Sequence, residues 1–320
     1  MNQIGVQQCR VYHKVPIWAH CCLLLMVIDL PKVVSKCQVM LYADDAVLFF
    51  SSQRSEDIEA ALNFDLKQVY EWVKVNKLAL NQTKTEFMLF GSQTKLSKLE
   101  KNICIELEQF KISQVYTYRY LGVWLDPTLN WKEHVTKTSK KIGSRIALLG
   151  RSKRYLPLEG RKLLANALIL PLFEYCCNAW SHCSQKVVDI IVKQHKKMAR
   201  VIVGANVRTP TQQIFNTLKW VDIRNRWNFS KCKMIYSVFE TLSPLYILQM
   251  FTKSQSLHNH RTRSAENVGL ILPKIKTQMG KQSYSYEGAA LWNSLPNHIR
   301  NAPSSLSFSL LFWRHIRSNP

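Results

Sequence analysis

The chain reads Leu41-Tyr42-Ala43-Asp44-Asp45-Ala46-Val47-Leu48-Phe49-Phe50 over its most informative ten residues. Two adjacent carboxylates sit between two short apolar runs, Val39 to Leu41 and Val47 to Phe50. That pattern predicts a strand, a tight turn and a second strand, with the acids at the tip. Along a strand, successive side chains point to opposite faces. A turn relaxes that rule and lets Asp44 and Asp45 converge on one point. Two anions held so close repel unless a cation lies between them, and Mg²⁺ takes carboxylate oxygens together with phosphates. The plainer reading is a polar hairpin turn, because Asp is common in turns.

Outward from that stretch, composition narrows the field. Of 320 residues, 47% are hydrophobic, so the chain is globular and long enough for two compact regions. Lys plus Arg number 44 against 21 Asp plus Glu, a net charge of +23. Such an excess speaks of polyanionic partners, nucleic acid first and an anionic membrane surface second. Nine cysteines without regular spacing argue against a disulfide framework and for a reducing compartment, nuclear or cytoplasmic. The apolar run Cys21 to Ile28 is too short to span a bilayer and stops at Asp29-Leu30-Pro31. No signal peptide is read at the start of the chain.

Tyr42-Ala43-Asp44-Asp45 between two hydrophobic strands resembles the metal-binding hairpin of reverse transcriptases. From about Val11 to near the C-terminus the chain is similar to the polymerase of non-long-terminal-repeat (LINE-type) retrotransposons, of the jockey-like or chicken-repeat-like kind. The resemblance implies an α+β fold: a truncated palm of antiparallel strands and a packing helix, then a helical thumb and a mostly helical C-terminal region. It divides the chain into a degenerate segment (1–30), a partial palm (31–127), a basic thumb (128–205) and an accessory region (206–320). It implies RNA-directed DNA synthesis with Mg²⁺ or Mn²⁺, an RNA template and DNA primer or an RNA–DNA hybrid as partners, and no membrane. Asp44 would be the main metal ligand, Asp45 the supporting one, and Tyr42 would lie near the nucleic acid.

Residues 1–30 show no clean period. Where the family carries Gly-Val-Pro-Gln-Gly-Ser-x-Leu-Gly-Pro-Leu-Leu, this chain carries Val11-Tyr12-His13-Lys14-Val15-Pro16-Ile17-Trp18-Ala19-His20-Cys21-Cys22. Family codons read one base late give Lys14, Trp18, Ala19, His20, Cys21 and Cys22. The hypothesis is a nucleotide-pocket motif translated out of frame, back in register by Asp29-Leu30-Pro31. Codons that fail to restore the family motif on a one-base shift would sink it. An unrelated N-terminal tail is the alternative.

Beyond the hairpin, Ile58, Ala61, Leu62, Leu66, Val69, Trp72 and Val73 recur at three and four, predicting an amphipathic helix from Ser55, the N-cap candidate, to Leu78. A loop with Asn81, Thr83, Lys84 and Thr85 leads into a strand, Glu86 to Phe90. In the family, the lysine matching Lys84 lies near the nucleotide phosphates and is assigned to catalysis; a solvated loop lysine is the alternative. Ile103 to Leu107 and Tyr118 to Leu125 read as a β-hairpin arm. Tyr118-Arg119-Tyr120-Leu121-Gly122-Val123-Trp124 resembles the primer grip, where Gly122 permits close approach of a sugar-phosphate backbone; a β-bulge glycine fits equally.

From Trp131 the pattern turns helical and basic, with 15 Lys or Arg against 4 Asp or Glu up to Ala205. Helices are predicted over Trp131 to Lys153, Leu158 to Trp180 and Gln185 to Val203. Lys137, Lys140, Lys141, Arg145, Arg151, Lys153 and Arg154 read as one phosphate-tracking surface, and Lys193, Lys196, Lys197 and Arg200 as another; solvated helix faces are the plainer alternative. Cys176, Cys177, His182 and Cys183 lack the paired spacing of a zinc site and read as core cysteines; His258 and His260 are set aside likewise. Two helices are predicted across Thr217 to Ile247, with Leu218-Lys219-Trp220 at their start, and a final one from Ser304 to Ile316.

The family's metals also need an Asp from an earlier strand, which this chain is expected to lack. Asp29 and Asp126 read as a helix end and a turn. The sheet is expected to miss a strand and leave an open edge. The expectation is a polymerase fragment that is catalytically incomplete, or a non-catalytic nucleic-acid-binding remnant.

Overall fold

The computed structural model describes residues 3–10 (as backbone), 28–43, 45–99, 103–254 and 269–318. The chain is a mixed helix-and-strand protein in two compact units, Met1–Glu133 and His134–Pro320. Among the described residues no helix is long and apolar enough to cross a membrane.

The first unit is built on a five-stranded sheet of β1 (Gln3–Arg10), β2 (Gln38–Tyr42), β3 (Asp45–Ser52), β4 (Glu86–Phe90) and β7 (Ser113–Gln114), in the order β2-β3-β1-β4-β7. Strands β2 and β3 pair antiparallel, and Tyr42 opposite Asp45 closes the hairpin. The predicted runs Val39 to Leu41 and Val47 to Phe50 fall inside them. Of the two hairpin strands, β2 is an edge of the sheet and β3 is covered on both sides. Strand β1 pairs with β3 from Gln3↔Ser52 to Arg10↔Asp45, and with β4 on its other side. Backbone N–H and C=O groups make those ladders whatever the side-chain period. The edges are β2 and the two-residue β7.

The two faces of the sheet divide the side chains of β3. Ala46 and Leu48, with Phe87 and Leu89 of β4, pack on Ile58, Leu62, Leu66, Val69 and Val73 of helix α1 (Ser55–Val75). Val47 and Phe49, with Met88 and Phe90, line a hollow of about 260 Å³ on the opposite face. Helix α1 begins one residue earlier than Ser55 as N-cap would allow: Arg54 is the cap. Ser52 Oγ accepts from the Arg54 amide and donates to Asp57, tying β3 to the first turn.

The single arm predicted from Ile103 to Leu125 is two separate hairpins. β5 (Glu106–Leu107) pairs with β6 (Phe110–Lys111), and β8 (Tyr118–Tyr120) with β9 (Val123–Leu125). Ile103, Ile105, Leu107 and Ile112 are buried in the core on the α1 face, whereas Tyr118, Tyr120 and Leu125 line the hollow on the other. Burial on opposite faces keeps the two segments from pairing. Asp126, predicted in a turn, is buried and accepts from Thr128 N and Oγ1, Asn130 N and Trp131 N.

The second unit is helical: α2 (Lys132–Ser152), which starts at the end of the first unit, then α3 (Leu158–Leu164), α4 (Leu170–Glu174), α5 (Gln185–Val203), α6 (Thr211–Leu218), α7 (Ile223–Thr241), α8 (Tyr284–Ser294) and α9 (Ser305–Ser318). The predicted helix Leu158 to Trp180 is interrupted. It widens to a π-helix at Ala165–Ile169, just before Pro171, which has no N–H to give its preceding turn. It then breaks at Cys176, whose φ is +50°. Leu218-Lys219 is an end rather than a start, since Lys219 is the left-handed C-cap of α6. Helix α5 matches its predicted bounds and stops at Gly204, φ +77°.

Trp180, Phe173 and Trp227 fill the interior between these helices, and Trp292, Phe308 and Phe312 a second cluster beneath α8 and α9. Both buried indoles near the first cluster are satisfied: Trp180 donates to the Tyr175 carbonyl and Trp227 to that of Phe173. Cys177 and Cys183 are buried, Cys176 is exposed, and the six cysteines whose side chains are described are all free.

Candidate functional site

The β2–β3 tip is a two-residue turn with Ala43 at φ +53°. Tyr42 is 61% exposed at its rim. Asp44 lies outside the described residues, as do His258 and His260. Asp45 opens β3, half-buried.

A second two-residue turn comes from β8–β9. Tyr120 pairs with Val123, and both intervening residues have positive φ, Leu121 at +44° and Gly122 at +84°. This is the primed hairpin turn, which favours glycine. Gly122 is therefore a turn residue, not the bulge residue the sequence also allowed. Gly122→Ala is expected to destabilise this hairpin by about 1–2 kcal/mol, the cost of a Cβ in left-handed backbone. A urea melt followed by tryptophan fluorescence would report it; an unchanged midpoint would contradict this turn.

The two turns meet. Asp45, Glu86, Arg119, Gly122 and Trp124 line one cleft of about 460 Å³. The Arg119 guanidinium lies 6.0 Å from the Trp124 ring. Tyr120 reports the proximity: burial raises its phenol pKa, and the charges of Asp45 and Tyr42 raise it further. Of the residues singled out in the sequence, Tyr42, Asp45 and Gly122 thus come together.

Lys84 ends a 3₁₀ turn, Gln82–Lys84, with an exposed side chain. Asn81 builds that turn: its carbonyl accepts from Lys84 N and Thr85 Oγ1, and its side chain from Thr83. Glu86, two residues on, is a carboxylate that nothing in the sequence marks as functional; it is legible there only as the first residue of a strand.

On α2, Lys140 and Lys141 are exposed, whereas Arg145 donates to the Leu168 carbonyl of the π-helix. Lys137 is half-buried one turn earlier. On α5, Lys197 is exposed and Lys196 half-buried. Arg200 reaches Thr211 Oγ1 at 3.1 Å and the Lys196 carbonyl.

Among the described residues no three His, Cys, Asp or Glu side chains come together to hold a metal ion. Strand β1, the inner neighbour of β3, reads Gln-Ile-Gly-Val-Gln-Gln-Cys-Arg and contains no acid. The described residues do not by themselves fit a two-metal centre.

The reverse transcriptase (RNA-dependent DNA polymerase) family matches residues 15–125, the span that carries both turns. That segment belongs to the reverse transcriptase family. Curated relatives agree. The chain is 23% identical over 174 residues to a probable RNA-directed DNA polymerase from transposon X-element of Drosophila melanogaster, covering 53% of this chain and 18% of that protein. It is 25% identical over 146 residues to a retrovirus-related Pol polyprotein from type-1 retrotransposable element R1 2 of Nasonia vitripennis, covering 44% and 36%. Against the RNA-directed DNA polymerase from mobile element jockey of Drosophila funebris it is 23% identical over 181 residues, covering 56% and 19%. The chain thus spans between about a fifth and about a third of these relatives. No solved structure matches it.

Proposed function

We propose that this chain is a reverse-transcriptase-derived segment that holds a primer–template end and, by itself, supports little or no DNA synthesis. The carrying observation is the cleft shared by Asp45 and Gly122, flanked by a β1 strand without a carboxylate. A backbone at a glycine turn lets a sugar-phosphate approach closely. Nucleotidyl transfer by two metals needs carboxylates from more than one strand to clamp both ions.

On this reading residues 31–127 are a partial palm, 128–205 a thumb and 206–320 an accessory region. Asp44 and Asp45 are the acids of a divalent-metal hairpin, with Lys84 on the phosphate side. Tyr42 and Gly122 face the primer end. Lys137, Lys140, Lys141, Arg145, Lys196, Lys197 and Arg200 add positive charge for an RNA–DNA hybrid, and such contacts are sequence-tolerant and salt-sensitive. The segment 1–30 is the remnant of a nucleotide-pocket motif, out of frame, which the gene's codons test directly.

Two assays on the 320-residue chain separate binding from synthesis. A labelled RNA–DNA hybrid should bind, with affinity falling steeply between low and physiological salt. Primer extension on a homopolymer template with Mg²⁺ or Mn²⁺ should stay at background. Extension abolished by Asp44→Asn or Asp45→Asn would overturn the claim of inactivity. Failure to bind any hybrid would overturn the whole reading.

A further inference from the structure

The second unit contains a cleft that neither the hairpin nor the matched family segment touches. Two hollows, about 810 and 630 Å³, share the wall formed by Lys219, Trp220, Val221 and Arg317. The left-handed Lys219, φ +54°, turns the chain there as α6 ends. Trp220 is fixed by stacking on the buried His195 ring at 5.5 Å and 14°. Arg226 and Lys233 of α7, and Tyr246 of the short helix Leu245–Leu248, line the larger hollow. Lys196 of α5 lines the smaller.

Charge and shape point to the same class of ligand. Five cations line the two hollows against two carboxylates, Glu174 and Asp222. Both acids are engaged: Glu174 pairs with Arg226, and Asp222 accepts from the Arg224 amide at 2.9 Å. Among the described residues no carboxylate pairs with Lys196, Lys219, Lys233 or Arg317. Tyr246 is 64% exposed, a large aromatic surface held at the rim of a basic hollow. A concave basic track with aromatic platforms suits unpaired bases and their phosphates, since only an unpaired base is free to stack on an aromatic side chain while its phosphates follow the basic groove.

We propose that this groove binds single-stranded nucleic acid, with bases stacked on Trp220 and Tyr246 and phosphates held by Lys219, Lys233 and Arg317. The site is independent of the primer-end cleft. It would hold an unpaired strand even if the hairpin reading failed.

The test uses fluorescently labelled, unprimed dT and U oligonucleotides of about a dozen residues and the full chain. Anisotropy should show binding at low salt. Tyr246→Ala should weaken it about fivefold or more, the lower end of one lost stacked base. The double variant Lys233→Glu/Arg317→Glu should weaken it at least tenfold and flatten the salt dependence. Equal use of dT and U marks base-and-phosphate recognition, and preference for U adds a contact to the 2′-hydroxyl; either supports the groove. Tyr246→Ala changes an exposed side chain, so its fold is secured by an unchanged melting curve. Parent-like affinity in both variants, no binding by the parent, or equal displacement by poly-glutamate would each overturn the proposal.

Discussion

Lowering the pH from 6.5 to 4 is expected to remove most of the stability of the helical unit. His134, His182 and His195 all belong to residues 134–320, and all three are buried away from water or nearly so. Burial pushes each imidazole from its ordinary 6.5 down to about 4. At His182 the Lys231 ammonium adds to the effect, although Glu287 lies 3.6 Å from Nδ1. His195 sits among the rings of Phe173, Phe215 and Trp220. Its Nδ1 and that of His182 have no hydrogen-bond partner among the described residues.

The sign follows from proton counting. Between pH 6.5 and 4 the unfolded chain takes up protons on these rings and the folded chain does not, so stability rises with pH across that window. Each depressed imidazole contributes roughly 3 kcal/mol at neutral pH, since every tenfold loss of proton affinity on folding is worth about 1.4 kcal/mol. Three of them rival the 5–15 kcal/mol total of an ordinary domain. Urea melts at pH 7, 6, 5 and 4 should show the midpoint collapsing toward pH 4. His195→Phe should flatten the slope by about a third, since a ring of similar size remains among its aromatic neighbours. A midpoint constant from pH 6.5 to 4 would contradict the burial of these rings.

How legible this protein is in its sequence depends on the range of the interactions. Helix α5 is written locally. Val187, Val188, Ile191, Val192, Met198, Ala199 and Ile202 form its buried stripe, and Gly204 supplies the left-handed stop. The hairpin is equally local, because two β-prone runs flank a polar turn. Strand β1 is not: its pairing with β3 and β4 is a backbone affair across some forty and eighty positions. The two small hairpins 106–111 and 118–125 resemble one arm in the sequence because both read as strands. Which face of the sheet buries each is decided by α1 on one side and the hollow on the other. Within the candidate site, Asp45 and Gly122 announce themselves by type and spacing. Glu86 does not, since only the folded sheet brings the start of β4 to the same cleft.

The least visible residue in the sequence carries the second large prediction. Asp65 lies on the apolar stripe of α1, between Leu62 and Leu66, and is completely buried. A carboxylate there looks like an error of patterning until its partners are counted. It accepts from Ser35 N at 3.1 Å, Ser35 Oγ at 3.2 Å, Lys36 N at 2.8 Å and Cys37 N. Those backbone amides turn the chain directly into β2, whose far end is Tyr42. Burial pushes the Asp65 carboxyl pKa up, but the amides of Ser35, Cys37 and Lys36 outweigh it and hold the value below the ordinary range. Beside it, burial and the hydrogen bond to Asp65 push the Cys37 thiol up to about 12.

Asp65→Ala should therefore cost roughly 4 kcal/mol, because three amides lose a charged acceptor in a dry environment and each orphaned donor costs about 1–3 kcal/mol. Asp65→Asn should recover part of this, since one carboxamide oxygen can still accept while its NH₂ faces donors. The pH behaviour separates this effect from the histidines. A depressed carboxyl contributes stability above its unfolded value near 4 and loses it only as the pH falls further. Asp65→Ala should thus lower the melting midpoint at pH 7 and leave the slope between pH 6.5 and 4 as it was. A variant that melts like the parent at pH 7 would mean that the Ser35–Cys37 turn does not depend on this carboxylate. If it does depend on it, the register of β2 goes with it, and Tyr42 is displaced from Asp45 and Gly122 by a substitution buried beneath the opposite face of the sheet.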